Sequence, residues 1–142
     1  MPPLIGWAAA SGTLSLEAWV LYVLLFLWQF PHFTAIAWMY REDYAKAGYV
    51  VLPNGPQIGR FVSWQALVPS LTLMPVSAAA AVLAGASLLG VGAVCVLTAA
   101  FILYSVRLAF RKSNVAARRL LMASIVYLPM TYLTLMLDRF VP

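Results

Sequence analysis

Apolar positions in this chain come in long blocks rather than as one face of an alternating pattern. Ala18 to Tyr40 runs 23 residues without a formal charge, Phe61 to Val106 runs 46, and Leu120 to Leu137 runs 18. A helix needs about 20 apolar residues to cross the hydrocarbon core of a bilayer. The first and last blocks therefore predict one crossing each, and the middle block, too long for one, predicts two. Its break is expected near Gly85-Ala86-Ser87 or at Gly90, where small and flexible residues permit a tight turn. The expected fold is all-α and polytopic, with transmembrane helices over 18–40, 61–83, 87–106 and 120–137. Pro3 to Ala10 is too short to cross and reads as the tail of a further helix.

Composition removes the soluble alternatives. The 142 residues are 64% hydrophobic and 9% charged, whereas a soluble domain carries about 25% charged residues to face water. A soluble enzyme or a nucleic-acid binder is excluded. The net charge of +5 then reports orientation rather than nucleic acid. Arg41, Lys46 and Arg60 follow the first span, and Arg107, Arg111, Lys112, Arg118 and Arg119 lie between the third and fourth. Four alternating crossings put both groups on one side. Positive loops stay cytoplasmic, so loops 41–60 and 107–119 are expected inside and both termini outside. The other connections hold Glu17 and the Asp138/Arg139 pair. A single cysteine, Cys95, excludes an intrachain disulfide and a cysteine metal site. Met1-Pro2-Pro3 lacks the basic start of a signal peptide.

Prolines at 31, 69, 75 and 129 fall inside the spans, and for 69, 75 and 129 the plain expectation is packing geometry, which membrane helices tolerate. Ala78 to Ala81 with Gly85, and Ala86 with Gly90, offer small-residue faces for close helix packing. The chemistry concentrates at the end of the first span. At 100° per residue, Gln29, His32, Ile36, Tyr40 and Asp43 fall within an arc of roughly 80°. The stripe leads from membrane depth to a carboxylate at the water boundary. Polar groups at such depth face a bundle interior or cavity and are site candidates. Plainer readings stand beside this one. His32 can simply bond a neighbouring helix, Glu42 and Asp43 can be a solvated helix end, and Trp38 and Tyr40 can be interfacial aromatics.

The wording around the stripe is more specific than its position. Pro2-Pro3-Leu4-Ile5-Gly6-Trp7, then Trp28-Gln29-Phe30-Pro31-His32-Phe33, then Arg41-Glu42-Asp43-Tyr44 with Ala47-Gly48 and Leu52-Pro53, closely resembles the protohaem IX farnesyltransferases (haem O synthases). These belong to the UbiA-type intramembrane prenyltransferases. The resemblance extends through Arg118-Arg119 to the final helix and so covers essentially the whole chain.

The resemblance implies nine transmembrane helices around a central cavity, of which this chain supplies the C-terminal part. It implies transfer of the farnesyl group of farnesyl diphosphate to a vinyl group of haem B, with addition of water, giving haem O for terminal oxidases. Haem B is then a substrate and Mg²⁺ the cofactor. Asp43 would bind Mg²⁺, partly through water, and Lys46, Arg41 and Arg60 would contact the diphosphate. Gln29 and His32 would face the haem and prenyl cavity, with Phe33 or Tyr40 shielding the allylic cation by cation–π contact. The implied setting is the cytoplasmic membrane of a bacterium, with lipid and haem A synthase as partners.

One part of the family pattern has no counterpart. Its first aspartate motif, of the Asn-xxx-Asp type, lies between the second and third family helices, and nothing here corresponds to it. Met1 is therefore not expected to be the natural start. A half-bundle would leave Gln29 and His32 without a facing wall, so the isolated chain is expected to be unstable or self-associating, with little activity, and to need its N-terminal half or another protomer. Two competing readings are a quinone or chlorin prenyltransferase of the same superfamily and a non-catalytic four-helix assembly subunit. Against the first, Asp43 is followed by Tyr44-Ala45-Lys46-Ala47 rather than by a longer aspartate-rich motif.

Overall fold

The computed structural model describes residues 2–53 and 55–138. The chain forms α1 (Pro2–Ser11), α2 (Leu16–Met39), α3 (Arg41–Lys46), α4 (Ile58–Leu83), α5 (Leu88–Arg111) and α6 (Asn114–Leu137). There is no strand among the described residues. Helices α2, α4, α5 and α6 are each long and apolar enough to cross a membrane. They pack as a ring in which α2 meets α4, α4 meets α5, α5 meets α6, and α6 returns to α2. The short α1 leans on α2, as the tail of a helix would.

The helices outrun their charge-free blocks because a helix ends where its backbone is capped, not where charge begins. Arg107 and Arg111 are helical in α5, and Arg118 and Arg119 are helical in α6. The expected loop 107–119 is thus corrected to a turn at Lys112-Ser113. Lys112 caps α5 in the left-handed region (φ 44°), and the Ser113 hydroxyl accepts from the Ala116 amide at 3.2 Å, closing the start of α6. Within 41–60, only residues 47–57 are non-helical among those described. The break between α4 and α5 falls at Gly85, whose φ of +72° a side chain would resist. Gly85 therefore lies in a turn and cannot complete a helical small-residue face with Ala81. Gly90 sits inside α5.

The interior is bound by hydroxyl groups as well as by apolar contact. Ser70 and Ser105 join at 2.7 Å, Ser77 and Thr98 at 3.0 Å, and Thr98 and the Tyr127 hydroxyl at 3.1 Å. The Ser63 hydroxyl donates to the Ala109 carbonyl at 3.0 Å. Ser63, Ser70 and Ser77 are spaced by seven residues, the repeat that keeps one seam facing a partner helix. The four buried hydroxyls at 70, 77, 98 and 105 are fully covered. All four also bond back to their own helix, to the Ala66, Met74, Val94 and Phe101 carbonyls. No polar atom of these pairs is left to lipid.

At the far end from the basic residues, Asp138 closes the start of α5. Its carboxylate accepts from the Ser87 amide and, at 2.7 Å, from the Ser87 hydroxyl. A Cβ on Gly90 would stand 2.8 Å from that carboxylate, so a side chain there would have to displace it. Arg139, the other charged residue of this connection, lies outside the described residues.

Candidate functional site

The eight basic residues of the two expected loops gather at one end of the ring, because α2 and α5 finish there while α4 and α6 begin there. Two contacts fasten this end. Arg41 donates from Nη1 to the Trp38 carbonyl and to Asn114 Oδ1, both at 2.8 Å, tying α3 to the start of α6. Lys112 at the end of α5 lies against Gly59 in the first turn of α4.

The polar stripe does not run on as one helix. Tyr40 caps α2 with φ −102° and ψ 16°, and the chain turns there into α3. Asp43 is consequently carried by a separate short helix rather than by a continuation of the Gln29–His32 face. Within α2 the two polar residues also part. His32 Nδ1 bonds the Ser124 hydroxyl of α6 at 2.7 Å, and its ring stacks on Trp28 with centroids 4.5 Å apart. The Trp28 indole donates to the Ser124 carbonyl at 2.9 Å. Gln29 instead lines a cleft between α2 and α4. Three residues of helix rotate a side chain by about 60° back from a full turn, enough to reach the neighbouring groove. The expectation that His32 lacks a facing wall is therefore overturned: α6 supplies it within this chain.

The cleft holds about 240 Å³. Gln29, Phe33 and Thr34 form one wall and Phe61 and Gln65 the other, with Val51 and Leu52 of the 47–57 segment across its end. Phe33 is 59% exposed, and its ring meets His32 edge-on at 5.4 Å. Gln65 escaped the sequence reading, although it is the only carboxamide in the 46-residue uncharged run. Val51 and Leu52 escaped it too, because nothing local says that this segment folds back onto α2. Trp38 is buried under the Arg41 guanidinium, 4.7 Å from its ring centre, and is no interfacial aromatic. Tyr40 is half exposed at the helix break.

The charged candidates differ in how far they are engaged. Glu42 pairs with Arg41 at 3.4 Å. Arg41 commits three of its five donors to Trp38, Asn114 and Glu42 and is held in place by them. Asp43 and Lys46 are exposed on α3, and Arg60 is exposed at the start of α4. None of these three side chains has a hydrogen bond or ion pair among the described residues. Asp43 and Lys46 stand three residues apart, one helical turn, on the same side of α3. No group of three His, Cys, Asp or Glu side chains able to hold a metal occurs among the described residues. A magnesium–phosphate site needs only one or two carboxylates, the remaining ligands being phosphate oxygens and waters. Asp43 fits such a site as one contributor.

The profile of the UbiA prenyltransferase family matches residues 1–128. The chain belongs to that family. Among curated proteins it is 45% identical over 139 residues to "Protoheme IX farnesyltransferase" of Solibacter usitatus, covering 98% of this chain and 48% of that protein. Proteins of the same name from Koribacter versatilis and Christiangramia forsetii are 38% and 34% identical, with 98% and 99% of this chain and 47% and 48% of theirs covered. The chain thus spans about half the length of these relatives. No solved structure matches it. Four membrane-length helices in a UbiA-family chain make it a multi-pass membrane protein.

Proposed function

We propose that this UbiA-family chain is the diphosphate-binding half of a protohaem IX farnesyltransferase, which attaches a farnesyl group to a vinyl group of haem B to give haem O. The observation that carries the reading is a free carboxylate and a free ammonium one turn apart on α3, which follows directly on α2, the helix whose Gln29 and Phe33 line an apolar cleft with a second carboxamide, Gln65. Ionisation of an allylic diphosphate develops negative charge on the leaving group. Bound Mg²⁺ would neutralise part of that charge. Asp43 would hold the cation, directly or through water, while Lys46 and Arg60 would bind phosphate oxygens. Phe33 offers its exposed ring face to the allylic cation, and Gln29 and Gln65 orient the acceptor. Arg41 acts as the fastener that keeps α3 in place. The basic end faces the cytoplasm, where farnesyl diphosphate is met.

The first aspartate motif is to come from a second polypeptide segment, so the test supplies one. The chain is co-expressed in membranes with the N-terminal half of the Solibacter relative and given farnesyl diphosphate, haem B and Mg²⁺, with haem O measured by mass. Haem O formation that needs both pieces and disappears with Asp43→Asn supports the reading. Absence of haem O from the paired halves, while the intact relative makes it, would sink it. Prenylation of a quinone or chlorin in place of haem would reassign the acceptor.

A further inference from the structure

A second groove is on the opposite face of the ring from the Gln29–Gln65 cleft, between α5 and α6. It holds about 490 Å³. Leu97, Phe101, Met122 and Val126 make it apolar along its length, and Tyr104, Arg118 and Arg119 stand at its basic end. A smaller hollow of about 90 Å³ continues from it past Tyr104 and Arg119 to Arg107 and Arg111. Arg107 lies over the Tyr104 ring at 5.5 Å. None of the four guanidinium groups is ion-paired among the described residues. The only carboxylates at this end, Glu42 and Asp43, are on α3.

We propose that this groove is a binding site for one anionic phospholipid, with its phosphate between Arg118, Arg119 and Arg107 and an acyl chain along Leu97, Phe101 and Met122. Retention of positive charge on one side of a membrane accounts for the sign of this end, but not for a channel of apolar side chains leading straight to it. Guanidinium forks match phosphate oxygens in pairs, and a zwitterionic headgroup would bring its own cation against four arginines. Dimensions agree with a lipid: Leu97 to Tyr104 is about 10 Å of helical rise, within a hydrocarbon half-thickness of about 15 Å. The position argues against substrate. A prenyl acceptor must reach the carbon that leaves the diphosphate, and the Gln29–Gln65 cleft, carried by the helix that leads into α3, is across the ring from this groove.

The chain is reconstituted in nanodiscs of equal phosphatidylglycerol and phosphatidylcholine, and the lipids that stay bound on release are identified by native mass spectrometry. Phosphatidylglycerol is expected to be retained at one per chain, roughly tenfold over phosphatidylcholine. The double variant Arg118→Gln/Arg119→Gln should bring the two lipids to parity. Ala123→Trp, which fills the groove without altering charge, should abolish retention of both. Lys112→Gln, at the same end but turned toward Gly59, should retain phosphatidylglycerol as the unaltered chain does. Equal retention of the two lipids by the unaltered chain overturns the proposal, as does undiminished retention by the double arginine variant. Displacement of phosphatidylglycerol by haem B or farnesyl diphosphate would also overturn it, by assigning the groove to a substrate. No turnover is measured, so the outcome is independent of the transferase reading.

Discussion

The α4–α5 seam and the α2–α4 cleft are built from similar materials and end in opposite conditions. Both place polar side chains on apolar membrane helices. In the seam, Ser70 meets Ser105 and Ser77 meets Thr98, and each pair is closed and fully covered. In the cleft, Gln29 and Gln65 line open space, and on α3 Asp43 and Lys46 have no partner among the described residues. A hydroxyl is short enough to bond its own helix and its neighbour at once, so helices carrying serine can approach until no gap is left. A carboxamide among phenylalanines holds the walls apart. Polar residues in a membrane bundle therefore divide into those that consume their bonding capacity within the fold and those that keep it for something else.

Substitutions on the two sides should separate activity from stability. Asp43→Asn in the paired-half assay should lower haem O formation at least about 100-fold, equivalent to about 2.7 kcal/mol of barrier, with an unchanged thermal midpoint in detergent. A fall in midpoint would make Asp43 a structural residue and erase the contrast. Ser70→Leu should do the reverse. Overfilling a closed seam costs about 2 kcal/mol, read as a lower unfolding midpoint, while farnesyl diphosphate still binds whatever fraction stays folded. At the far end, Asp138→Ala removes the acceptor for the Ser87 amide and hydroxyl, with an expected loss of about 1 kcal/mol of stability. The smallest effect is the most discriminating. A double-mutant cycle on His32→Phe and Ser124→Ala should give a coupling near 0.6 kcal/mol in stability, the usual size for such a bond between membrane helices. Zero coupling would release His32 from α6 and return it to the list of haem contacts.

The crossings are legible in the sequence because transfer into hydrocarbon is a sum along the chain, so 18–46 uncharged residues speak for themselves. The charged residues of α3 are legible for the same reason, as an abrupt change of chemistry after Tyr40. The direction in which a helix is turned is not. The stripe from Gln29 to Asp43 assumed an unbroken helix, and the backbone departs at Tyr40. Gln65 was passed over because one carboxamide in a greasy run is unremarkable until α2 stands opposite it. The serine repeat at 63, 70 and 77 was likewise invisible without α5 beside it.

By itself, then, the sequence determined the number of spans, the end that gathers positive charge, a break near Gly85-Ala86-Ser87 or at Gly90, and the family to which the chain belongs. These rest on composition, glycine geometry and local wording, none of which needs a neighbour. Only the tertiary structure decided that His32 is answered by Ser124, 92 residues away, that Gln29 faces Gln65, and that Asp138 caps α5. Each of those depends on helix rotation and register, and an apolar surface accepts many rotations at nearly equal cost. Hydrogen bonds that cannot be left unmade in lipid choose among them.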